Sequence, residues 1–223
     1  NEDGTFDLKT DSGMVQSKTV IIATGAAPRY LGLENEMTLV GHGVTSCATC
    51  DGAFYRDVPV AVVGGGDSAC EEANFLTRFA SKVYLIHRRD ELRASKIMAD
   101  RVLANEKVEP VWDSGITEYL TDEEGEVRAV NLENLKTGGK SELEVKCVFV
   151  AIGHVPNSQF VGGLVDLDEN GYVLQNPHST STKTPGLYAA GDVADHIYRQ
   201  AITASGQGCA AAIEAERYLA DSE

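Results

Sequence analysis

Two cysteines, Cys47 and Cys50, have a spacing that suggests chemistry, and they stand in the stretch SCATCDGAF at residues 46–54. Thiols one helical turn apart can form and break a disulfide without large backbone movement. Asp51 follows directly, and a carboxylate there could deliver or remove the proton that thiol exchange requires. The sequence therefore predicts a redox-active dithiol with Cys47, Cys50 and Asp51 as catalytic residues.

Zinc binding and simple burial are the alternatives for these cysteines. His42, Cys47 and Cys50 could supply three zinc ligands, but no second C-x-x-C or H-x-x-x-H completes a tetrahedral set, so we expect no metal. Small and polar neighbours argue against burial of the pair. The other cysteines are expected to be buried structural residues; they are Cys70, Cys147 and Cys209.

A glycine-rich loop, GGGDSA at residues 64–69, follows an apolar β-branched run. Gly64 permits a tight turn, Gly66 lets the backbone approach a pyrophosphate, and Ala69 lets helix and strand pack closely. A helix N-terminus after such a turn favours phosphate. An ordinary glycine turn is the alternative. The loop residues predicted to contact a dinucleotide are Gly64, Gly65, Gly66, Asp67, Ser68 and Ala69.

The end of the next predicted strand is basic, and it indicates which dinucleotide binds. An NAD site places a carboxylate there for the ribose 2′-hydroxyl, whereas guanidinium groups suit a 2′-phosphate. The residues assigned to this contact in HRRDELRA are His87, Arg88, Arg89 and Arg93. The sequence therefore predicts NADPH. The alternative is a solvated charge cluster in which Arg88 and Arg89 pair with Asp90 and Glu91.

These motifs lie in a predicted βαβ unit of a parallel sheet. Hydrophobic patterning predicts a strand over 58–64, a helix over 67–80 and a strand over 82–87. It further predicts a helix over 95–106, an antiparallel hairpin from 116–121 and 126–136, and a closing helix from about 201 to 219.

Two segments resemble each other, KTVIIATGAAP at residues 18–28 and KCVFVAIGHVP at 146–156. Both are buried-strand patterns that end in Gly and then Pro. They suggest two related domains, with chance similarity as the alternative. Gly64 lies 82 residues (146 − 64) before Lys146, so the matching loop of the first domain would precede residue 1. We therefore expect the chain to be the C-terminal part of a longer protein.

Composition narrows the range of partners. The chain has 34 acidic and 19 basic residues and a net charge of -15 at pH 7, which disfavours nucleic acid and anionic membranes. The polar N-terminus and the lack of a long apolar run lead us to expect a soluble cytoplasmic protein. An odd number of cysteines, 5, fits reduced thiols better than a secreted disulfide framework.

Several motifs together resemble the bacterial, low-molecular-weight type of thioredoxin reductase across essentially the whole chain. They are CATCDG, GGGDSACEEA, HRRDELRA, AIGHVPN, GLYAAGDVADHIYRQAITASGQGC and AAIEAERYL. The resemblance implies an α/β fold with two Rossmann-like, three-layer dinucleotide-binding domains, the first incomplete and discontinuous. Residues 1–29 and 154–223 would form the flavin domain, and 30–153 the NADPH domain with the C-x-x-C and an antiparallel hairpin or meander.

The same resemblance implies FAD and NADPH as cofactors, a thioredoxin-like protein as partner and a homodimer. NADPH would reduce FAD, FAD the dithiol, and the dithiol thioredoxin. The domains would rotate against each other about hinges near 26–29 and 154–157. The residues that the resemblance assigns to flavin contacts are Gly25, Gly191, Asp192, Val193, Gln200 and Ala201.

One departure leaves other functions open. The glycine fingerprint that holds the ADP half of FAD in this family is absent from the 223 residues, so we expect the isolated chain to bind NADPH but to be colourless. The reductase component of an alkyl hydroperoxide system and a flavin-dependent dithiol oxidase are alternatives. An NADPH- or zinc-binding regulatory domain without turnover is a third.

Overall fold

A computed structural model describes residues 1–221 and divides the chain into two compact units. One unit comprises Asn1–Ala27 and the chain from His154 onward, and the other is Pro28–Gly153. The sequence predicts domain boundaries at 29/30 and 153/154, and the assignment of the two parts to FAD and NADPH stays a prediction. We call Pro28–Gly153 the dithiol unit, because it contains Cys47 and Cys50, and the remainder the discontinuous unit.

The strands and α-helices of the described residues are numbered along the chain. The strands are β1 Phe6–Thr10, β2 Gly13–Ser17, β3 Val20–Ile22, β4 Ala26–Pro28, β5 Val44–Thr45, β6 Pro59–Val63, β7 Lys82–Ile86, β8 Val108–Val111, β9 Ser114–Thr121, β10 Val127–Asn134, β11 Lys140–Glu144, β12 Val148–Val150, β13 His154–Pro156 and β14 Leu187–Ala189. The helices are α1 Ala48–Asp51, α2 Asp67–Leu76, α3 Lys96–Leu103 and α4 Ala201–Asp221.

The dithiol unit has three layers around a parallel sheet with strand order β5-β12-β6-β7-β8. Val60 and Val62 of β6 pack on the side of α2 and α3, while Ala61 and Val63 pack on the other side. That other side is covered by the antiparallel sheet β11-β10-β9. Both faces of β6 are therefore buried, which explains its continuous apolar sequence. The expected three-layer α/β fold is confirmed.

Helix α2 is shorter than the sequence predicts. It ends at Leu76, whereas the apolar periodicity continues to residue 80. Phe79 accepts a hydrogen bond from Asp57 N, and Ser81 donates one to Val58 O, so the segment after Leu76 is fastened beside the start of β6. These bonds turn the chain toward β7 before the helix can continue.

The discontinuous unit packs apolar side chains on both faces of the parallel pair β3–β14. Val173 and Val193 pack on one face, and helix α4 covers the other. Ala211 and Ala215 of α4 are buried next to Tyr188 and Ala190. The expectation that Cys209 is buried is wrong: this thiol is exposed, because it lies outside the helix face that the sheet covers. Within residues 1–221, no helix is both long and apolar enough to cross a membrane.

Candidate functional site

The Cys47 and Cys50 sulfurs form a disulfide, with Cα atoms 5.3 Å apart. Cys47 is the N-cap residue of α1, and its sulfur accepts a hydrogen bond from Cys50 N at 3.2 Å. Cys47 is partly buried, whereas Cys50 is exposed. The sequence therefore forms a short helical turn that presents the bond at the surface of its unit, as redox chemistry requires.

Two polar residues flank Cys47 and Cys50 in the chain and are bonded to each other, Thr45 before the pair and Asp51 after it. Asp51 Oδ2 accepts a hydrogen bond from the Thr45 hydroxyl at 2.5 Å, and the same hydroxyl accepts from Cys47 N at 3.2 Å. Thr45 was not identified from the sequence, since nothing in the spacing of a single threonine indicates that it bonds six residues away. Asp51 is thus held beside the dithiol that it adjoins.

Glycine at position 52 lets the dithiol turn pack on helix α2. A Cβ there would lie 2.8 Å from Leu76 Cδ2 and 3.5 Å from Phe79 Cδ2, so a larger residue would push the turn away. Leu76 is the last residue of α2, and the glycine loop precedes its first residue. Because a helix rises about 1.5 Å per residue, α2 separates the dithiol turn from the loop by roughly 15 Å.

The glycine loop is tight on its protein side and open on the other. Gly64 has φ +155, and a Cβ on it would lie 2.5 Å from Ala151 O and 2.7 Å from Ala69 Cβ. Gly66 is the N-cap residue of α2, and a Cβ on it would meet no atom within 4 Å. An open space therefore lies beside a helix N-terminus, and this arrangement fits a pyrophosphate.

Backbone hydrogen bonds fasten the basic segment to the glycine loop. Gly65 O accepts from Arg93 N at 2.7 Å and from Ala94 N at 3.1 Å. The Asp67 carboxylate accepts from the backbone N–H and the hydroxyl of Ser95 at 2.8 and 2.9 Å. Asp67, selected from the sequence as a nucleotide contact, thus joins α2 to the segment before α3, and Ser95 was not identified from the sequence.

His87 lies under the loop, apart from the exposed arginines. Its side chain is 4 % exposed, and a Cβ on Gly65 would lie 2.2–2.6 Å from its ring atoms. Burial first, and then the positive charges of Arg93 and Arg89, lower the pKa of His87. The sequence analysis assigned His87 to the contact with the 2′-phosphate. A neutral imidazole offers no charge for that contact, but its ring supports the glycine loop from below.

Arg88, Arg89 and Arg93 are all exposed, and no ion pair among residues 1–221 engages them. Asp90, the acidic neighbour that could have neutralised Arg88 and Arg89, instead pairs with Lys136 at 2.6 Å. The three guanidinium groups remain available to an anion beside the glycine loop. Ser68 is also exposed, and Ala69 is buried against Gly64.

The proposed flavin segment forms a fixed turn after β14. Gly191 has φ +77, and its N–H donates to Gln207 Oε1 of α4 at 2.8 Å. Val193 is fully buried and its carbonyl accepts from Val173 N, so the turn cannot move freely. Burial first, and then repulsion by Asp195, raise the pKa of Asp192. Asp192 stands between these anchors with a partly exposed carboxylate that can accept hydrogen bonds.

The sequence did not identify Asp195, which fixes the loop that enters α4. Its carboxylate accepts from Ile197 N and Tyr198 N at 2.9 Å and from Arg199 N at 3.3 Å. Although burial would raise its pKa, these backbone donors lower it. The GDVAD sequence contains the signal, because an aspartate before a helix often accepts N–H bonds from the following residues. Gln200 and Ala201 follow at the start of α4.

Gly25, the remaining predicted site residue, lies between β3 and β4. It has φ +70, and its carbonyl accepts from Asn157 N at 2.9 Å. Thr24 adds two hydrogen bonds, one to Asn157 O and one from Asn157 Nδ2. The end of the first similar segment, 18–28, is therefore hydrogen-bonded to the residue that follows the second, 146–156.

The remaining thiols and His42 belong to no potential metal-binding group among residues 1–221. Burial raises the pKa of Cys70 to about 11 and of Cys147 to about 12, so both stay protonated. His42 Nδ1 lies 2.8 Å from Glu126 Oε1. The described residues contain no group of three or more His, Cys, Asp or Glu side chains placed to hold a metal. The disulfide between Cys47 and Cys50 favours redox chemistry over zinc binding.

A parallel three-layer unit with a glycine loop, an arginine cluster and an exposed cystine is the arrangement of a nucleotide-dependent disulfide oxidoreductase. Residues 1–208 match the model of the pyridine nucleotide-disulphide oxidoreductase family, and the chain belongs to that family, within its thioredoxin reductases. Thioredoxin reductases of this family use FAD and NADPH.

Individual relatives support this placement. A thioredoxin reductase of Mycolicibacterium smegmatis is 55% identical over 93% of this chain and 66% of its own length. Thioredoxin reductase 2 of Arabidopsis thaliana is 50% identical over 96% of this chain and 58% of its own length. The crystal structure of Streptococcus pyogenes thioredoxin reductase matches with a TM-score of 0.91 and 43% identity over 98% of this chain and 71% of that one. The chain thus spans about three fifths to two thirds of the curated relatives named here.

Proposed function

We propose that the protein is an NADPH-dependent reductase that reduces the disulfide of a thioredoxin through FAD and the Cys47–Cys50 pair. The observation that carries this proposal is an exposed disulfide, flanked by a held carboxylate, in the same unit as a dinucleotide loop with three free arginines. Relatives named thioredoxin reductase, about half identical over most of the chain, support it.

The residues present fit NADPH and part of a flavin site. The open space at Gly66 and the exposed Arg88, Arg89 and Arg93 would hold NADPH, while the Gly191–Val193 turn and the start of α4 would contribute to the flavin site. When bound, NADPH supplies a hydride and FAD accepts and passes on its two electrons. The dithiol turn and the glycine loop lie at opposite ends of α2, which suits a relayed transfer better than a direct one.

Reduction of the partner proceeds by two thiol–disulfide exchanges. A thiolate of the reduced pair attacks one partner sulfur, the partner S–S bond breaks, and a mixed disulfide forms. The second thiol then attacks the mixed disulfide, which closes Cys47–Cys50 and releases the partner as a dithiol. Two electrons and two protons pass from the pair to the partner. Asp51, which adjoins Cys50, takes the proton of an attacking thiol and returns it to a leaving sulfur.

The assignment of Gly64–Ala69 and the arginines to NADPH remains part of the proposal. Guanidinium forks bind a phosphate through paired hydrogen bonds, so the three arginines favour NADPH over NADH. His87 acts through Gly65 instead of through charge. We extend the proposal to a homodimer that acts in the cytoplasm, as the resemblance to thioredoxin reductases implies; light scattering checks the first point.

A single-turnover experiment tests the central step. The chain is reduced chemically, freed of reductant and mixed with oxidised thioredoxin, and the thioredoxin thiols formed are counted by alkylation and mass spectrometry. We expect Cys50→Ser to abolish reduction while NADPH binding is retained. Cys209→Ser is the matched control, because this thiol is exposed on α4 outside the dithiol unit. Full reduction of thioredoxin by Cys50→Ser would contradict the proposed function.

A further inference from the structure

Thr45 occupies a buried position directly before the dithiol turn. It is the second residue of β5, is 8 % exposed, and pairs with Phe149 of the central strand β12. Parallel pairing fixes its backbone, and a β-branched side chain has few rotamers. The hydroxyl position is therefore determined by the sheet and not by the loop that follows.

The two hydrogen bonds of this hydroxyl have a fixed direction. The backbone N–H of Cys47 can only donate, so the Thr45 oxygen accepts from it at 3.2 Å. The single hydroxyl proton is then directed to Asp51 Oδ2 at 2.5 Å. One side chain thus links the sheet to the first residue of the redox pair and to the carboxylate that follows the second.

We propose that Thr45 is a positioning residue for thiol–disulfide exchange, acting through Asp51. Its donated hydrogen bond occupies Oδ2 and leaves Oδ1 of the same carboxylate to take the proton of an attacking thiol and return it to a leaving sulfur. No atom of Thr45 enters the reaction, so the atom and electron balance is that of the two exchanges described above. This inference rests on the proposed function of Asp51, and it adds Thr45 as the residue that orients the Asp51 carboxylate.

The substitution Thr45→Val separates positioning from packing. Valine keeps the branched shape of the buried side chain but cannot donate to Asp51 or accept from Cys47 N. Hydrogen bonds to a charged group contribute enough to predict a loss of about tenfold in the exchange rate. Thr45→Ser keeps the hydroxyl and should restore the rate to within about twofold of the original protein, allowing for the lost methyl group.

A double-mutant cycle with Asp51→Asn tests whether Thr45 acts through Asp51. The reduced chain is mixed with bis(2-hydroxyethyl) disulfide, and the second-order rate constant is measured against pH for the two single variants and the double variant. If Thr45 acts through Asp51, the substitution Thr45→Val slows exchange in the original chain but not in the Asp51→Asn background. Equal slowing in both backgrounds, or none in the original chain, overturns the proposal.

A second disulfide probe separates positioning from a purely structural role, because only a positioning role makes the loss of exchange rate depend on the leaving thiolate. An aromatic disulfide such as 5,5′-dithiobis(2-nitrobenzoate) releases a stable thiolate that needs no proton, whereas an alkyl disulfide needs one. The effect of Thr45→Val should therefore be larger with the alkyl probe. An equal loss with both probes would mean that the variant only disturbs the cystine turn, and it would overturn the proposal.

Thr182→Val is the matched control. Thr182 is also buried, donates to Leu187 O at 2.9 Å and accepts from Thr184 N at 3.3 Å, but it lies in the discontinuous unit. It should lower stability without slowing exchange. If Thr45→Val does not fold, Thr45→Ala enters the same cycle. Failure of the proposed function can be distinguished from failure of this inference. If the function is wrong, the reduced chain does not reduce thioredoxin, while the exchange rates with the two small disulfides still measure the effect of Thr45.

Discussion

Two adjacent glycines in the nucleotide loop should respond oppositely to the same substitution. A Cβ on Gly65 would lie 2.2, 2.3 and 2.6 Å from three atoms of the His87 ring, whereas ordinary contacts exceed about 3.4 Å. The ring is 4 % exposed and faces Trp112 at 6.5 Å between centroids, so it has little room to retreat. Overpacking of this kind costs about 1–3 kcal/mol.

Gly66 offers the contrasting case. Its backbone, at φ -94 and ψ -177, is one that alanine adopts readily, and the added Cβ would meet no atom within 4 Å. Gly66→Ala should therefore change the unfolding free energy by less than about 0.5 kcal/mol. The new methyl group would stand in the space assigned to the pyrophosphate, so NADPH affinity should fall by at least about tenfold.

Thermal unfolding and calorimetric NADPH titration measure the two effects separately. Gly65→Ala should lower the midpoint by about 2–4 °C for each kcal/mol, and Gly66→Ala should leave it unchanged. His87→Ala combined with Gly65→Ala should cost less than the sum of the single changes, because the clash is removed. A Gly65→Ala protein as stable as the original, or tight NADPH binding by Gly66→Ala, would refute the reasoning.

Three further predictions concern charge. Replacing Arg88, Arg89 and Arg93 by Gln should weaken NADPH binding while leaving the affinity for NADH within about twofold. Nucleotide titrations at two salt concentrations would check this, and an equal loss of affinity for both nucleotides would contradict the 2′-phosphate assignment. The pKa of His87 is lowered in the folded state, so the stability gained from the neutral imidazole is present above the unfolded pKa of 6.5 and is lost as the pH falls below 6.5. Denaturant titrations from pH 8 to 5 should show this loss, and the unfolding free energy of His87→Gln should depend less steeply on pH. Asp195→Ala should destabilise the protein by about 1–3 kcal/mol, because the buried Asp195 carboxylate accepts hydrogen bonds from three backbone N–H groups and these bonds are lost. Unchanged denaturant midpoints would count against this role.

Local patterns in the sequence were sufficient to predict much of the dithiol unit. The apolar β-branched runs predict β6 and β7, and the glycine loop between β6 and α2 follows from them. The antiparallel hairpin β9–β10 was also predicted, since its alternating pattern and its turn are both local. The third strand, β11, was missed because KSELE is polar and exposed on most positions, and therefore carries no burial signal.

Side-chain bonds between distant segments could not be predicted in the same way. Asp67 and Ser95 meet 28 residues apart because the fold returns the chain to the glycine loop, and no spacing rule describes that return. Cys209 was placed in the core because its residue type is usually buried, but a helix position decides which face it occupies. Thr45 carries no motif at all, and only its hydrogen bonds show its connection to Asp51.

The hydrogen bonds at Gly65 change how the nucleotide site should be understood. Motifs present the glycine loop and the arginine cluster as separate devices, one for the pyrophosphate and one for the 2′-phosphate. In the structure, Gly65 O accepts from Arg93 N and Ala94 N, while the ring of His87 supports the same residue from below. A substitution that shifts the backbone of Gly65 should therefore also shift Arg93 and Ala94, which bond to it. Substitutions that displace His87 should alter the preference for NADPH over NADH as well as the affinity, even though the imidazole carries no charge to offer the phosphate.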